Sequence, residues 1–181
     1  MRESRNSEPS DLYLQDEEAT KAFAMLLAPL LAGRCDGIET GGHIHLHGEL
    51  GAGKTSFVRA LLRALGVTGR IKSPSYAILE SYNVFNLYCY HLDFYRFSDP
   101  REWLDAGFRE ILHKNAVVLI EWPEHAGGLL PPPDLDIHLQ YADPGRLASL
   151  TAQSDRGRLW LKTLAPRLPD FLPKDSPGAN S

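Results

Sequence analysis

The sequence predicts an α/β domain of three layers, with parallel central strands flanked by antiparallel strands. Three observations carry that expectation. The alternating stretch "HIHLH" leads through a glycine-rich loop into a helical pattern. The uninterrupted apolar run "AVVLIEW" has the composition of a strand buried on both faces of a parallel sheet. Finally, "DLDIHLQY" and "RLASLTA" carry strand formers on either side of an Asp-Pro-Gly turn, as an antiparallel pair does.

Taken in order, residues 1–10 are polar and without periodicity and are expected to be disordered, with folding beginning at "DLYLQ". From Asp16, acids in the first turn are followed by apolar residues at Ala19, Phe23, Leu26, Leu27 and Leu30, with Gly33 just beyond, which predicts an amphipathic helix. The strand "HIHLH" follows, then the glycine loop. Next comes a helix whose apolar face is Phe57, Val58, Leu61, Leu62 and Leu65, stopped by Gly66. The aromatic stretch "SYAILESYNVFNLYCYHLDFYRF" predicts two strands joined by a turn near Asn83 to Asn86. "SDPREWLDAGFREILHKN" predicts one helix with Asp99 as N-cap, Pro100 at the first helical position and Glu102 completing a capping box, weakened at Gly107. After "AVVLIEW", the "GGLLPPP" loop and the antiparallel pair, "SDRGRLWLKTLAP" predicts a last helix. The expected organisation is a single domain over residues 11–164 and a flexible Pro/Ser-rich tail over 165–181.

Composition narrows the function. The chain has 181 residues, 43% of them hydrophobic, and a formal net charge of -4 without a long basic run, which argues against a DNA or phosphate-backbone binder. Two cysteines, Cys35 and Cys89, form no metal-ligand spacing, and the N-terminus has no basic-then-apolar leader, so a cytoplasmic location is expected. "AFAMLLAPLLAG" is too short to span a bilayer and is interrupted by Pro29, so no membrane association is expected.

The chemistry concentrates in the glycine loop. Gly48, Gly53, Lys54 and Thr55 satisfy G-x-x-x-x-G-K-[ST], and Gly51 adds a small position. Glycines let backbone N–H groups turn inward around phosphate oxygens, the lysine neutralises phosphate charge, the hydroxyl reaches Mg²⁺, and the helix N-terminus adds its dipole. A strand before the loop and a helix after it complete the expected context, so the fold is P-loop NTPase-like. The expected ATP-binding stretch runs through Glu49, Leu50, Gly51, Ala52, Gly53, Lys54, Thr55 and Ser56. Glu121 ends the apolar strand, where a second carboxylate is aimed at Mg²⁺ or its water. "HLDFYR" offers His91, Asp93 and Arg96 near the end of another strand. His43, His45 and His47 share one strand face, but no carboxylate or thiol cluster near them in the sequence completes a metal site. They are therefore expected to be half-buried strand positions.

Four blocks, "GELGAGKTSFVRALLRALG", "KSPSYAILESY", "HLDFYRF" and "LIEWPE", in this order and spacing, resemble the TsaE (YjeE) family of small bacterial P-loop ATPases in tRNA threonylcarbamoyladenosine biosynthesis. The match runs from about Leu12 to Ala152. The resemblance implies that Lys54 and Thr55 bind phosphate and Mg²⁺, that Glu121 holds the metal and that Asp93 orders or polarises the attacking water. It places Trp122 beside the site and makes "SPSY", with Ser73 and Ser75, a switch-like loop in which Ser75 replaces the family's threonine and keeps its hydroxyl. Arg96 is either a charge stabiliser or a structural ion-pair residue. The implied activity is a Mg²⁺-dependent ATPase, weak alone, that supports the TsaB–TsaD transferase pair and meets tRNA only indirectly. The rival from the residues alone is a small nucleotide or metabolite kinase. A GTPase would need an Asn/Thr-Lys-x-Asp segment, which the chain lacks. A third reading is a nucleotide-gated module that assembles a complex with negligible turnover.

Overall fold

The computed structural model describes residues 10–113 and 115–172. Seven strands form one mixed sheet: β1 (Ser10–Leu14), β2 (Gly42–His47), β3 (Leu79–Val84), β4 (Leu87–Asp93), β5 (Val117–Glu121), β6 (Leu135–Ala142) and β7 (Gly145–Ala152). Their order is β1-β7-β6-β2-β5-β4-β3. The inner strands β6, β2, β5 and β4 are mutually parallel, while β7 and β1 at one side and β3 at the other run antiparallel to their neighbours. The expected parallel centre with antiparallel flanks is the fold observed.

The hydrophobic pattern explains this order. In β5, Val117 and Leu119 belong to one core and Val118 and Ile120 to another, so the strand is buried on both faces, as its unbroken apolar run predicts. The larger core lies beneath α1 (Glu17–Leu31), α2 (Lys54–Leu65) and α4 (Asp155–Leu164) and takes Ile44 and Leu46 of β2, Ile137 of β6 and Leu150 of β7. The smaller core covers β4 and β5 from the other side, using Phe94, Phe97, Trp103 and Ala126 from short helical turns. Helix α1 is capped by Asp16, whose carboxylate accepts from the Ala19 N–H at 2.8 Å. Gly66 ends α2 in the left-handed conformation, φ 109°, where a Cβ would be strained.

Two expectations are corrected. The helix expected across "SDPREWLDAGFREILHKN" forms only as the single turn α3 (Glu102–Asp105) and a separate 3-10 turn at Phe108–Ile111. Gly107, at φ 71°, breaks the helical path between them. Half of the expected capping box forms, because Glu102 Oε1 accepts from the Asp99 N–H at 2.8 Å, but Asp99 Oδ1 accepts from the Arg101 N–H at 2.9 Å rather than from that of Glu102, and Arg101 takes the N-cap of α3. The fold also continues past residue 164: a 3-10 turn at Leu168–Phe171 places Leu168 and Phe171 in the main core, with the Phe171 ring 5.8 Å from that of Phe23. The expected tail began too early because a Pro-rich segment can still bury alternate apolar residues. Residues 1–9 and 173–181, expected to be unstructured, lie outside the described residues.

Backbone approach at the start of β2 is tight. A Cβ on Gly42, at φ +139°, would lie 2.2 Å from the Trp160 ring, and Trp160 is fully buried. Gly42→Ala is expected to cost about 2–4 kcal/mol through overpacking and backbone strain. Gly37→Ala, at φ +75° with nothing within 4 Å, should cost only about 1–2 kcal/mol from strain. Urea unfolding midpoints of the two variants check the difference.

Candidate functional site

Three parallel strands bring their carboxyl ends to one edge of the sheet. Leu46 of β2 is paired with Glu121 of β5, and Glu121 with Asp93 of β4, so the glycine loop and both carboxylates fall side by side. Because side chains alternate along a strand, Glu121 shares the face of Val117 and Leu119, and Asp93 that of Leu87 and Cys89, which is the face α2 covers. The first turn of α2 therefore begins over the two acids.

The loop from Gly48 to Gly53 turns through left-handed glycines, with Gly48 at φ 143°, Gly51 at φ 80° and Gly53, the N-cap of α2, at φ 103°. No side chain caps α2, which leaves its first N–H groups to the loop opening. Lys54 is buried, and its ammonium donates to the carbonyls of Gly48 and, at 3.0 Å, Glu49. It also lies 4.1 Å from the centre of the Trp122 ring. Burial pulls the Lys54 pKa below its ordinary value, against the pull of the surrounding acids, Glu121 first among them. The Thr55 hydroxyl lies 2.9 Å from each oxygen of Glu121. Ala52 is buried, whereas Leu50 and Ser56 are exposed at the rim.

Glu121 is 2% exposed and receives a second partner, His91 Nε2, at 2.7 Å. His91 is fully buried, and its Nδ1 has no partner among the described residues. Asp93 accepts from the Tyr95 N–H at 2.9 Å. Burial raises the Asp93 pKa, and the charge of Glu121 pushes in the same direction. Two adjoining buried carboxylates that, among the described residues, have no lysine or arginine in ion-pair contact form a site that a divalent cation would relieve. With the Thr55 hydroxyl they make a hard oxygen donor set of the kind Mg²⁺ takes.

Trp122 itself adopts a left-handed backbone, φ 56°, directly after Glu121. The turn it starts aims the indole at Lys54 and packs it at a tilt against Tyr95, 5.1 Å away, and His125, 5.3 Å away. Ser73 and Ser75, expected in a switch-like loop, are half-buried. Ser73 and Ser75 hydrogen-bond to each other at 2.7 Å and, among the described residues, to no site carboxylate. Arg96 stacks over Tyr76 of that loop at 4.3 Å and makes no ion pair among the described residues.

Two features escaped the residue pattern. His91 was visible in "HLDFYR", but only strand pairing shows that it braces Glu121. The histidine strand has no carboxylate cluster near it in the sequence, yet Asp136 of β6 lies 2.7 Å from His47 Nε2, and Glu124 lies 3.4 Å from His47 Nδ1. Burial lowers the His45 pKa to about 4. Burial opposes protonation of His47 too, but hydrogen bonds to Asp136 and Glu124 outweigh it and raise its pKa to about 9.

Fold and loop together define an α/β domain of the P-loop-like class. The family model described as "Threonylcarbamoyl adenosine biosynthesis protein TsaE" matches residues 14–148. The chain is 36% identical to the Haemophilus influenzae tRNA threonylcarbamoyladenosine biosynthesis protein TsaE over 146 residues, 81% of this chain and 91% of that one. It is 35% identical to the Bacillus subtilis protein of the same name over 149 residues, 82% and 89% of the two chains. The crystal structure of Bacillus subtilis YdiB superposes with a TM-score of 0.70 at 30% identity, covering 88% of this chain and 96% of that one. The chain belongs to the TsaE family.

Thr55 and His91 donate to one carboxylate from different elements, so their contributions should not add. Thr55→Val and His91→Leu are each expected to cost about 1–3 kcal/mol. A double-mutant cycle by urea unfolding should show coupling above about 0.5 kcal/mol. Additive losses would separate the two contacts.

Proposed function

We propose that this protein binds ATP with Mg²⁺ and hydrolyses it as the accessory ATPase of tRNA threonylcarbamoyladenosine biosynthesis, supporting the TsaB–TsaD transferase pair. The observation that carries the reading is the Thr55–Glu121 pair, 2.9 Å from hydroxyl to both carboxylate oxygens, set beside a lysine held by the loop's own carbonyls. That arrangement is half of a phosphate-and-metal site assembled in advance. Lys54 and the N–H groups of the loop would take the phosphates. Thr55 and Glu121 would hold Mg²⁺, which would neutralise phosphate charge. Asp93 would accept a hydrogen bond from the attacking water and orient it. Its raised pKa makes it a better base than an exposed aspartate.

A cavity of about 980 Å³ between α1, α2 and the β6–β7 turn is lined in part by Gly53, Ser56, Phe57 and Arg146, though not by Lys54, Thr55 or Glu121. With the terminal phosphate at Thr55 and Glu121, the nucleoside end would lie there, between α2 and the β6–β7 turn. The family's role in this pathway, together with the weak positioning of a water by one aspartate, supports an ATPase completed by partners, with tRNA met only indirectly. Arg96 and the Ser73–Ser75 loop sit where a partner could press them toward the site. Among the described residues beyond Glu121 the chain forms a Pro-rich loop, an antiparallel strand pair and helix α4, with no lid of the kind a small kinase uses. None of the helices among the described residues is long and apolar enough to cross a membrane.

ATP hydrolysis measured for the chain alone and with the TsaB–TsaD pair tests the assignment, and strong stimulation by the pair is expected. Lys54→Ala should lose nucleotide affinity. Asp93→Ala and Glu121→Ala should retain more binding than turnover, with kcat down about a hundredfold or more. Equal loss of binding in all three, with folding intact by circular dichroism, would sink these roles. Trp122 lies against Lys54 whereas Trp103 and Trp160 are buried elsewhere. Adding ATP should therefore change the tryptophan fluorescence, and Trp122→Phe should abolish that change.

A further inference from the structure

The site described above uses the face of the sheet beneath α2. On the opposite face, β2 presents His45 and His47, since Ile44 and Leu46 between them point into the helix-covered core. Beside them β6 presents Asp136 and His138, in register with His45 and His47 respectively. The result is a polar square of three imidazoles and a carboxylate at the base of the glycine loop.

We propose that His45, His47 and Asp136 form a binding site for one divalent transition-metal ion of the zinc class, which ties β2 to β6. Asp136 Oδ1 is 2.7 Å from His47 Nε2 and 4.0 Å from His45 Nδ1, and one donor atom from each residue lies within 4.8 Å of the other two. Ligands bound to zinc at about 2.0–2.1 Å stand roughly 3.3 Å apart at the corners of a tetrahedron. Small side-chain rotations bring these three donors onto such corners and leave a fourth position open.

The surroundings match what a metal site needs beyond its ligands. With Nε2 turned to the metal, the His47 Nδ1–H points at Glu124 Oε2, 3.4 Å away, which is the carboxylate–histidine arrangement that fixes a ligand's ring and tautomer. The other oxygen of Asp136 is held by Gln153 Nε2 at 2.7 Å, so the carboxylate is oriented by one oxygen and free to ligate with the other. His138 stacks on His47 at 4.2 Å with the rings nearly parallel and limits the motion of that ring. The His45 imidazole makes no side-chain hydrogen bond among the described residues although its side chain is only 9% exposed, and Asp136 Oδ1 stands 4.0 Å from its Nδ1. The His47 and Asp136 side chains, 23% and 13% exposed, leave a path for an ion to enter.

Two imidazoles and one carboxylate favour zinc-class ions over Mg²⁺ or Ca²⁺, which take oxygen ligands. The cluster is thus distinct in chemistry, as well as in sheet face, from the oxygen site at Thr55 and Glu121. A metal there would hold β2, whose last residue His47 adjoins Gly48, against β6 and brace the strand that delivers the loop. The site does not depend on the nucleotide reading.

Zinc titration of the metal-free full-length chain by calorimetry, in excess Mg²⁺, tests the site. One zinc per chain is expected, with a raised thermal midpoint. Glu124→Gln should weaken binding about tenfold or more, and His45→Gln and Asp136→Asn should weaken it further. His43→Gln and Lys54→Ala should bind zinc as the wild type does, so failure of the nucleotide reading leaves this one standing. Co²⁺ loaded in place of zinc should show the visible absorption of a four-coordinate site, lost in His45→Gln. Should Asp136→Asn fail to fold, His45→Gln decides alone. Zinc bound equally by the wild type and His45→Gln, or bound well below one per chain, would overturn the proposal and leave an ion pair of the fold.

Discussion

Burial of β5 on both faces is the constraint on which the rest of the molecule depends. A strand with Val117 and Leu119 in one core and Val118 and Ile120 in the other can occupy only the interior of a sheet, with parallel neighbours on each side. Once β2 and β4 pair with it, register follows from the alternation of side chains, since a slip by one residue would turn every apolar side chain of β2 outward. That register sets Leu46, Glu121 and Asp93 on one line. The glycine loop and both acids are therefore brought together by the hydrophobic packing of the strands that lead into them.

The polar groups carried to that edge are costly to bury, and the structure offsets the cost locally. Glu121 receives Thr55 from α2 and His91 from β4, so two elements converge on one carboxylate. Lys54 is satisfied by the carbonyls of Gly48 and Glu49 and by the face of Trp122. Asp93 has a main-chain donor, the Tyr95 N–H, and its pKa rises. Under the proposed function, such a pocket would exchange internal partners for ligand atoms without creating bare buried charge, which is the condition for reversible binding. The left-handed turn at Trp122 belongs to the same design, because it swings the indole from the strand end back over the lysine.

The two faces of the sheet carry different chemistry. Under α2 the donors are a hydroxyl and carboxylates. On the other side of β2, where the short turns over β4 and β5 give out, imidazoles face Asp136. The strand that feeds the glycine loop is thereby polar on one side and apolar on the other, and its position answers to contacts on both.

Much of this was legible in the residues themselves. The order of strands and helices, the doubly buried β5, the turn at Asn83 to Asn86 and the α2 face all follow from local periodicity and turn chemistry, which act over a few residues. The glycine loop with Lys54 and Thr55 stands out in the sequence by its spacing, and Glu121 by ending an apolar strand, and strand pairing brings them to one edge of the sheet. The break at Gly107 and the burial of Phe171 were not legible, since both turn on whether tertiary packing compensates a weak local preference. The sequence also placed His43, His45 and His47 on one strand face by itself. Only the tertiary structure decided that Asp136, 89 residues from His47, would meet it, because strand pairing joins residues whose separation along the chain carries no local signal.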